Sequence, residues 1–232
     1  MKKLRKKRKD ILNNFDIEKI YALDDAIDII KNNSKANFDE TLDISVNLAL
    51  NPGKSEQSVR GVAFLPHGSG KKIKVAVIAK GQKAEEAKSS NADLVGDTDL
   101  LKSIEKGNID FDRLIATPDM MVEVGKLGKV LGPKGLMPNP KLGTVTLDVA
   151  KAVKDSKQGQ IQFKNDKGGT VHAGIGKISF EKTKLAENVK VFFETVLKNK
   201  PSTLKGTFVK GVTIASTMGI GIKLDFAKLQ KS

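Results

Sequence analysis

The stretch Ile73-Lys74-Val75-Ala76-Val77-Ile78-Ala79 decides the fold. Apart from Lys74 it is apolar at successive positions, so a strand here has no solvent face and belongs to a sheet covered on both sides. The segments that follow alternate in type. Ala84 to Ser90 carries a helical pattern, Asp93 to Val95 is a short strand, Asp99 to Lys106 is a second helix, and Arg113 to Ala116 is a second buried strand. A helical turn near Met120 to Val124, a Gly/Pro-rich loop and a helix from about Leu147 to Lys157 complete the series. Strands alternating with helices predict a three-layer α/β (Rossmann-like) domain around a mostly parallel sheet.

Outward from this region the grammar changes on both sides. Leu42, Ile44, Val46, Leu48 and Leu50 alternate with Asp43, Ser45, Asn47 and Ala49, which predicts a half-buried strand ending at Asn51-Pro52-Gly53. Upstream, Leu23, Ala26, Ile27 and Ile30 recur at helical spacing in an amphipathic helix that ends near Asn32 and Asn33. Val59 to Leu65 reads as another strand, closed by Pro66-His67-Gly68-Ser69-Gly70. Beyond Gln158-Gly159-Gln160, Ile161 to Lys164 and Thr170 to Ala173 flank Asn165-Asp166-Lys167-Gly168-Gly169, a hairpin turn by composition. Leu185, Val189, Phe192, Phe193, Val196 and Leu197 mark a second amphipathic helix. Phe208 to Ile214 and Ile220 to Leu224 supply final strands around Ser216-Thr217-Met218-Gly219. The outer stretches share one style and the middle has another, as when one domain is inserted into another. The expected architecture is an α+β split domain, 1–66 plus 161–232, interrupted by an inserted α/β domain at 67–160.

The chain carries 41 Lys+Arg against 27 Asp+Glu, a net charge of +14. That exceeds what solubility requires and points to a polyanionic partner. The insert holds 16 cations against 12 anions and the remainder 25 against 15, so the split domain, at +10, is the better candidate to bind it. Only Arg5, Arg8, Arg60 and Arg113 are arginines. Lys acts as a mobile point charge on phosphates, whereas base-edge readout leans on the Arg fork, so backbone and shape recognition is expected. Seven of the first nine residues are cations (Lys2, Lys3, Arg5, Lys6, Lys7, Arg8 and Lys9), a solvated tail that can order against phosphates in a complex.

Several classes are excluded. There is no Cys, hence no disulfide and no thiolate metal site. His67 and His172 are far apart and outside any metal-ligand spacing. No apolar run approaches a membrane span, and no apolar core follows the N-terminal charges as in a secretory signal. A cytoplasmic protein with no cofactor and no membrane contact is expected.

Gly68-Ser69-Gly70-Lys71-Lys72 fails the Walker phosphate-loop pattern, with Leu65 where its first Gly belongs and Lys72 where its Ser or Thr belongs. It reads as an interdomain joint. Gly125, Gly128, Gly132 and Gly135 run into a Pro-rich loop instead of opening a helix after a strand, against a dinucleotide fingerprint. The exposed Lys126, Lys129, Lys134 and Lys141 of that region suit a second contact surface, and the loop equally suits a structural cover. Ser216-Thr217-Met218-Gly219 combines hydroxyls, an apolar side chain and close backbone approach, a mixture that fits an RNA surface and also fits a plain strand-end turn. Lys164-Asn165-Asp166-Lys167 is equally open. No nucleophile has a paired His at a recognisable spacing, so an enzyme is not expected.

The run from Thr117-Pro118-Asp119-Met120 through Leu127-Gly128 to Gly132-Pro133-Lys134-Gly135-Leu136-Met137-Pro138-Asn139-Pro140-Lys141 resembles the signature of the bacterial large-subunit ribosomal protein one family, the stalk proteins beside the tRNA exit site. Phe38-Asp39-Glu40-Thr41, Arg60-Gly61, Leu65-Pro66-His67-Gly68, Phe163 to Lys167, Lys205-Gly206 and Ser216 to Gly219 fall in the family's order. The resemblance implies the same split layout. It also implies binding of the large-subunit ribosomal RNA stalk, assistance to exit-site tRNA release, and repression of the family member's own-operon messenger RNA. A monomer is implied off the ribosome. It maps an RNA surface onto Phe38, Thr41, Lys164, Asn165, Asp166, Lys167, Ser216, Thr217, Met218 and Gly219, with the Thr217 hydroxyl donating to RNA. Two departures stand out: Ala215-Ser216 where many members carry more hydroxyls, and Lys134 and Lys164 where Arg is common. The competing readings are a repressor acting on messenger RNA alone and, from a different class, a nucleotide-using enzyme built on the α/β insert.

Overall fold

The computed structural model describes residue 16 and residues 18–34, 36–50, 57–204 and 206–229. The basic N-terminal run, the Asn51-Pro52-Gly53 turn and Lys205 lie outside the described residues. Helices and sheets are mixed in an α+β fold, and the backbone groups into two compact units: 1–70 with 161–232, and 71–160.

The first unit is built on a four-stranded sheet. Its strands are β1 (Thr41–Leu48), β7 (Thr170–Lys177), β8 (Val209–Ser216) and β9 (Ile222–Leu224), in the order β7-β1-β8-β9. Every neighbouring pair is antiparallel. The alternation read in β1 is realised: Leu42, Ile44, Val46 and Leu48 are buried, and Asp43 and Asn47 are exposed. The buried face packs on α1 (Leu23–Asn33) and α7 (Lys182–Lys198), which supply Ile27, Leu185, Val189, Phe192 and Phe193 to one core. The other face carries Asp43, Ser45 and Asn47 from β1, and among the described residues no helix packs on it.

A second, two-stranded sheet joins β2 (Arg60–Phe64) to β6 (Gln160–Lys164). This corrects the hairpin reading. The turn after Lys164 forms, but its arms do not pair as one ribbon: β6 joins β2, whereas β7 joins β1. Asn165↔Val171 and the Asp166 N–H to Thr170 carbonyl bond, 2.8 Å, hold the turn itself. Turn composition specifies the reversal and leaves the partner of each arm to tertiary packing. Phe163 fixes β6 by turning into the core edge-on to Phe192, with ring centroids 5.5 Å apart.

The second unit has the parallel sheet expected of its buried strands. β3 (Val75–Ile78) lies between β4 (Leu94–Gly96) and β5 (Arg113–Ala116). Ala76 and Ile78 enter one core with Leu101 and Ile104 of α3 (Thr98–Glu105) and Val124 of α4 (Met121–Lys126). Val75 and Val77 enter another with Ala87 of α2 (Gln82–Ser89) and with Val149 and Val153 of α6 (Val149–Lys157). Two cores on one strand explain why its sequence has no polar period. Helix α6 starts two residues after the expected Leu147 because the Asp148 carboxylate caps it, accepting the Lys151 N–H at 3.2 Å. Leu147 is left exposed. The Gly/Pro-rich region is more ordered than a loop: α5 (Gly128–Leu131) buries Leu131, and the Thr144 hydroxyl accepts the Asn139 N–H at 2.7 Å. The last described element is α8 (Phe226–Leu229), in the first unit.

Candidate nucleic-acid interface

The expected RNA residues fall into two clusters at opposite ends of β1. In register, Thr41 faces Lys177 and Leu42 faces Ser216 at one end; Asn47 faces Thr170, next to the 164–169 turn, at the other. Six residues of strand separate the ends, roughly 20 Å at about 3.3 Å per residue. Between them the solvent face of the sheet presents Asp43, Ser45 and Asn47 from β1, His172 from β7 and Thr213 from β8.

At the first end the turn after β8 is held by Glu40. This carboxylate is 2% exposed, yet it accepts the Ser34 hydroxyl at 2.6 Å and the Met218 N–H at 3.0 Å. Burial acts to raise its pKa. Hydrogen bonds from Ser34, the Met218 N–H, the Ser216 hydroxyl and the Ala36 N–H outweigh burial and hold it below the ordinary carboxylate value. Glu40 therefore ties the end of α1, the segment carrying Phe38, and the Ser216 to Gly219 turn to one point. Thr217 is engaged as well. Its N–H donates to the Thr41 carbonyl at 3.1 Å, and its hydroxyl oxygen accepts the Thr41 N–H at 2.9 Å. The hydroxyl oxygen thus closes the ladder to β1 as an acceptor. Gly219 packs so closely that a Cβ would meet the Ser216 Oγ at 2.3 Å. The side chains that this frame leaves outward are Phe38, 55% exposed, and Met218, 70% exposed.

The second end divides in the same way. The Asn165 side-chain oxygen accepts the Val59 N–H at 2.8 Å. The Asp166 carboxylate accepts the Gly168 and Thr170 N–H groups, both at 2.8 Å. Its pKa is held below the ordinary value, first by the Thr170 N–H, against desolvation, and further by Gly168 and His172. Gly169, at φ 79°, completes a turn that an L side chain would strain. Asn165 and Asp166 build the turn, and Lys164 and Lys167 project from it, both exposed.

Glu40, Lys177 and His172 were missed in the sequence. Lys177 donates to the Asp39 carbonyl at 3.2 Å and to the Thr41 hydroxyl at 3.1 Å, adding a cation beside the first cluster. His172 Nδ1 lies 3.0 Å from the Ser45 hydroxyl. The outward positions of the β1 alternation were the available signal, since their cross-strand partners share the same face. Glu40 had no such signal, because a buried acid looks like any surface acid in sequence. Of the lysines in the second unit, Lys126, Lys129, Lys134 and Lys141 are all exposed. Arg113 is not available: it is buried, donating to the Gln160 side chain at 2.5 Å and to its carbonyl at 2.9 Å, and burial lowers its pKa. Among the described residues no helix is long and apolar enough to cross a membrane, and no cluster of three His, Asp or Glu residues could hold a metal ion.

A polar sheet face with cations at both ends and two outward apolar side chains at one of them has the chemistry of a nucleic-acid-binding protein. The chain matches the Ribosomal protein L1p/L10e family over residues 30–220, and it belongs to that family. Membership makes it a structural, non-enzymatic ribosomal protein that binds ribosomal RNA.

Proposed function

We propose that the first unit binds the large-subunit ribosomal RNA stalk near the tRNA exit site through the two ends of β1. Phe38 and Met218 pack on sugars or bases at one end, and Lys164 and Lys167 meet phosphates at the other. Thr41, Asn165, Asp166, Ser216, Thr217 and Gly219 hold these groups in place. One observation carries the reading: each turn is fixed by hydrogen bonds within the protein, so its outward side chains are pre-organised before RNA arrives. From the ribosome the protein assists release of exit-site tRNA, and free of it, as a cytoplasmic monomer, it represses its own-operon messenger RNA with the same surface. The second unit works as a domain inserted into the first and offers Lys126, Lys129, Lys134 and Lys141 as a further phosphate contact.

Filter binding with a stalk RNA fragment and with the operon messenger tests this. The double change Met218→Ala, Lys164→Ala is expected to weaken both complexes in parallel, and to reduce co-sedimentation with large subunits. Unchanged binding of the stalk fragment would overturn the assignment; loss of one RNA only would separate the two roles.

A further inference from the structure

Sheet β2–β6 carries a second group of outward side chains. In β2, Gly61 and Ala63 face the core: a Cβ on Gly61 would meet the Phe163 ring at 2.9 Å, and Ala63 is buried. Arg60, Val62 and Phe64 therefore point the other way, with Arg60 exposed and Phe64 55% exposed. In β6 Phe163 is the inward residue, so Gln162 and Lys164 point outward. The Asn165 N–H donates to the Val59 carbonyl at 2.9 Å, which sets the end of β6 beside the start of β2. Val59 beside Asn165 and Gly61 beside Phe163 step in opposite directions along the two strands, so the pair is antiparallel and Arg60 falls opposite Lys164.

Two cations side by side across an antiparallel pair destabilise it unless an anion lies between them. Neither forms an ion pair with a described residue, and the other outward residues here, Val62, Gln162 and Phe64, bring no negative charge. Arg60 is also the one exposed arginine among the described residues, where a planar fork can hold a phosphate in two hydrogen bonds. Phe64 stands four residues further along, about 13 Å at ~3.3 Å per residue. Phe64 and Phe38 are the only phenylalanines more than half exposed among the described residues. Cations at one end of a sheet strip and a bare aromatic ring at the other are the two parts of a single-strand nucleic-acid platform: phosphate held by charge, base held by stacking.

We propose that this strip binds unpaired RNA, with a phosphate between Arg60 and Lys164 and a base stacked on Phe64. The inference rests on the RNA-binding reading above and extends it: Lys164 is shared, so RNA leaving the 164–167 turn continues onto β2–β6. The strip takes a single strand and not a helix, because a base can reach the ring only when unstacked from its neighbours.

The chain has no Trp, so Phe64→Trp installs a single fluorescent reporter at the stacking position. The full-length variant is titrated with a uridine dodecamer, which cannot pair with itself, and separately with a stalk RNA fragment ending in an unpaired extension. Quenching by the dodecamer is expected, as is quenching by the fragment only when the extension is present. Phe64→Ala and Arg60→Gln in the parent chain are each expected to weaken dodecamer binding on the order of tenfold. They should leave binding of the fragment lacking the extension unchanged. An unquenched Trp, with the fragment still bound, overturns the strip and leaves the main site standing. Failure of the parent chain to bind either RNA removes both readings. Quenching that persists undiminished with Arg60→Gln overturns the phosphate contact.

Discussion

Gly219 leaves no room for a side chain, and the obstacle is one atom. A Cβ there would sit 2.3 Å from the Ser216 Oγ but 3.4 Å from its Cβ, an ordinary contact distance. Gly219→Ala must therefore push the Ser216 hydroxyl off Glu40 and loosen the turn that aims Met218. RNA affinity is expected to fall roughly tenfold, about 1.4 kcal/mol. In a Ser216→Ala background the same change meets no oxygen and should cost measurably less, so a double-mutant cycle read by RNA titration should give a clear coupling energy. Additive losses would mean that the turn does not depend on this packing. Glu40 makes a second expectation. Its folded pKa lies below the ordinary 4.5, so its contribution to stability is complete above that value and is lost as pH falls through the lower, folded value. Denaturant unfolding of the parent chain and Glu40→Gln across acid pH should show it: the parent loses stability on acidification more steeply than the variant. Parallel profiles would show that the carboxylate does not titrate with folding.

At the scale of elements, Asn188 on α7 does what an apolar residue there could not. It is fully buried, accepts the His67 N–H at 3.2 Å, and donates to the carbonyls of Gly68 and Ile175, both at 3.0 Å. One amide thereby fastens the segment after β2 and strand β7 to the same helix. Asn188→Leu leaves three backbone groups without this partner, at a cost of about 1–3 kcal/mol for each that stays buried. Calorimetry should register it as a Tm lowered by about 2–4 °C per kcal/mol. An unchanged Tm would mean that water or a rearranged backbone replaces the amide. The sequence announced α7 through Leu185, Val189, Phe192, Phe193 and Val196, and β1 through its period of two, because apolar burial repeats with element geometry. It did not announce Asn188 or Glu40, since each also binds a partner more than a hundred residues away. Nor did it tell that Asn165 and Asp166 build their turn while Lys164 and Lys167 leave it. Composition marked all four residues, and only the hydrogen-bond geometry separates the two that build the turn from the two that point outward. The β6–β7 hairpin was misread for the same reason, since a reversal is local and the pairing of its arms is not.

At the scale of the whole molecule, charge and topology can be tested separately. If Lys164, Lys167 and their neighbours neutralise Z phosphates, log affinity should fall with log salt at a slope of roughly −0.7Z to −0.9Z, and each Lys→Ala change should flatten it by about one contact. Affinity independent of salt would remove phosphate contact from the account. The topology bears on where that affinity resides. Strand β2 ends at Phe64 and β6 begins at Gln160, and the two are neighbours in one sheet, so everything between them leaves and returns beside a single pair of strands. The four-stranded sheet, α1, α7 and both turn clusters lie outside that interval, in a unit with its own core. Replacing 71–160 by a short Gly/Ser linker should therefore leave the first unit folded, with most of its net charge. Residues 71–160 alone, with cores on both faces of the parallel sheet, should also fold. Titrating both fragments against the same stalk RNA, after checking each by circular dichroism, is expected to show near-parental affinity for the first and weak binding for the second. A folded first unit that has lost its affinity, beside strong binding by 71–160, would move the principal RNA surface to Lys126, Lys129, Lys134 and Lys141.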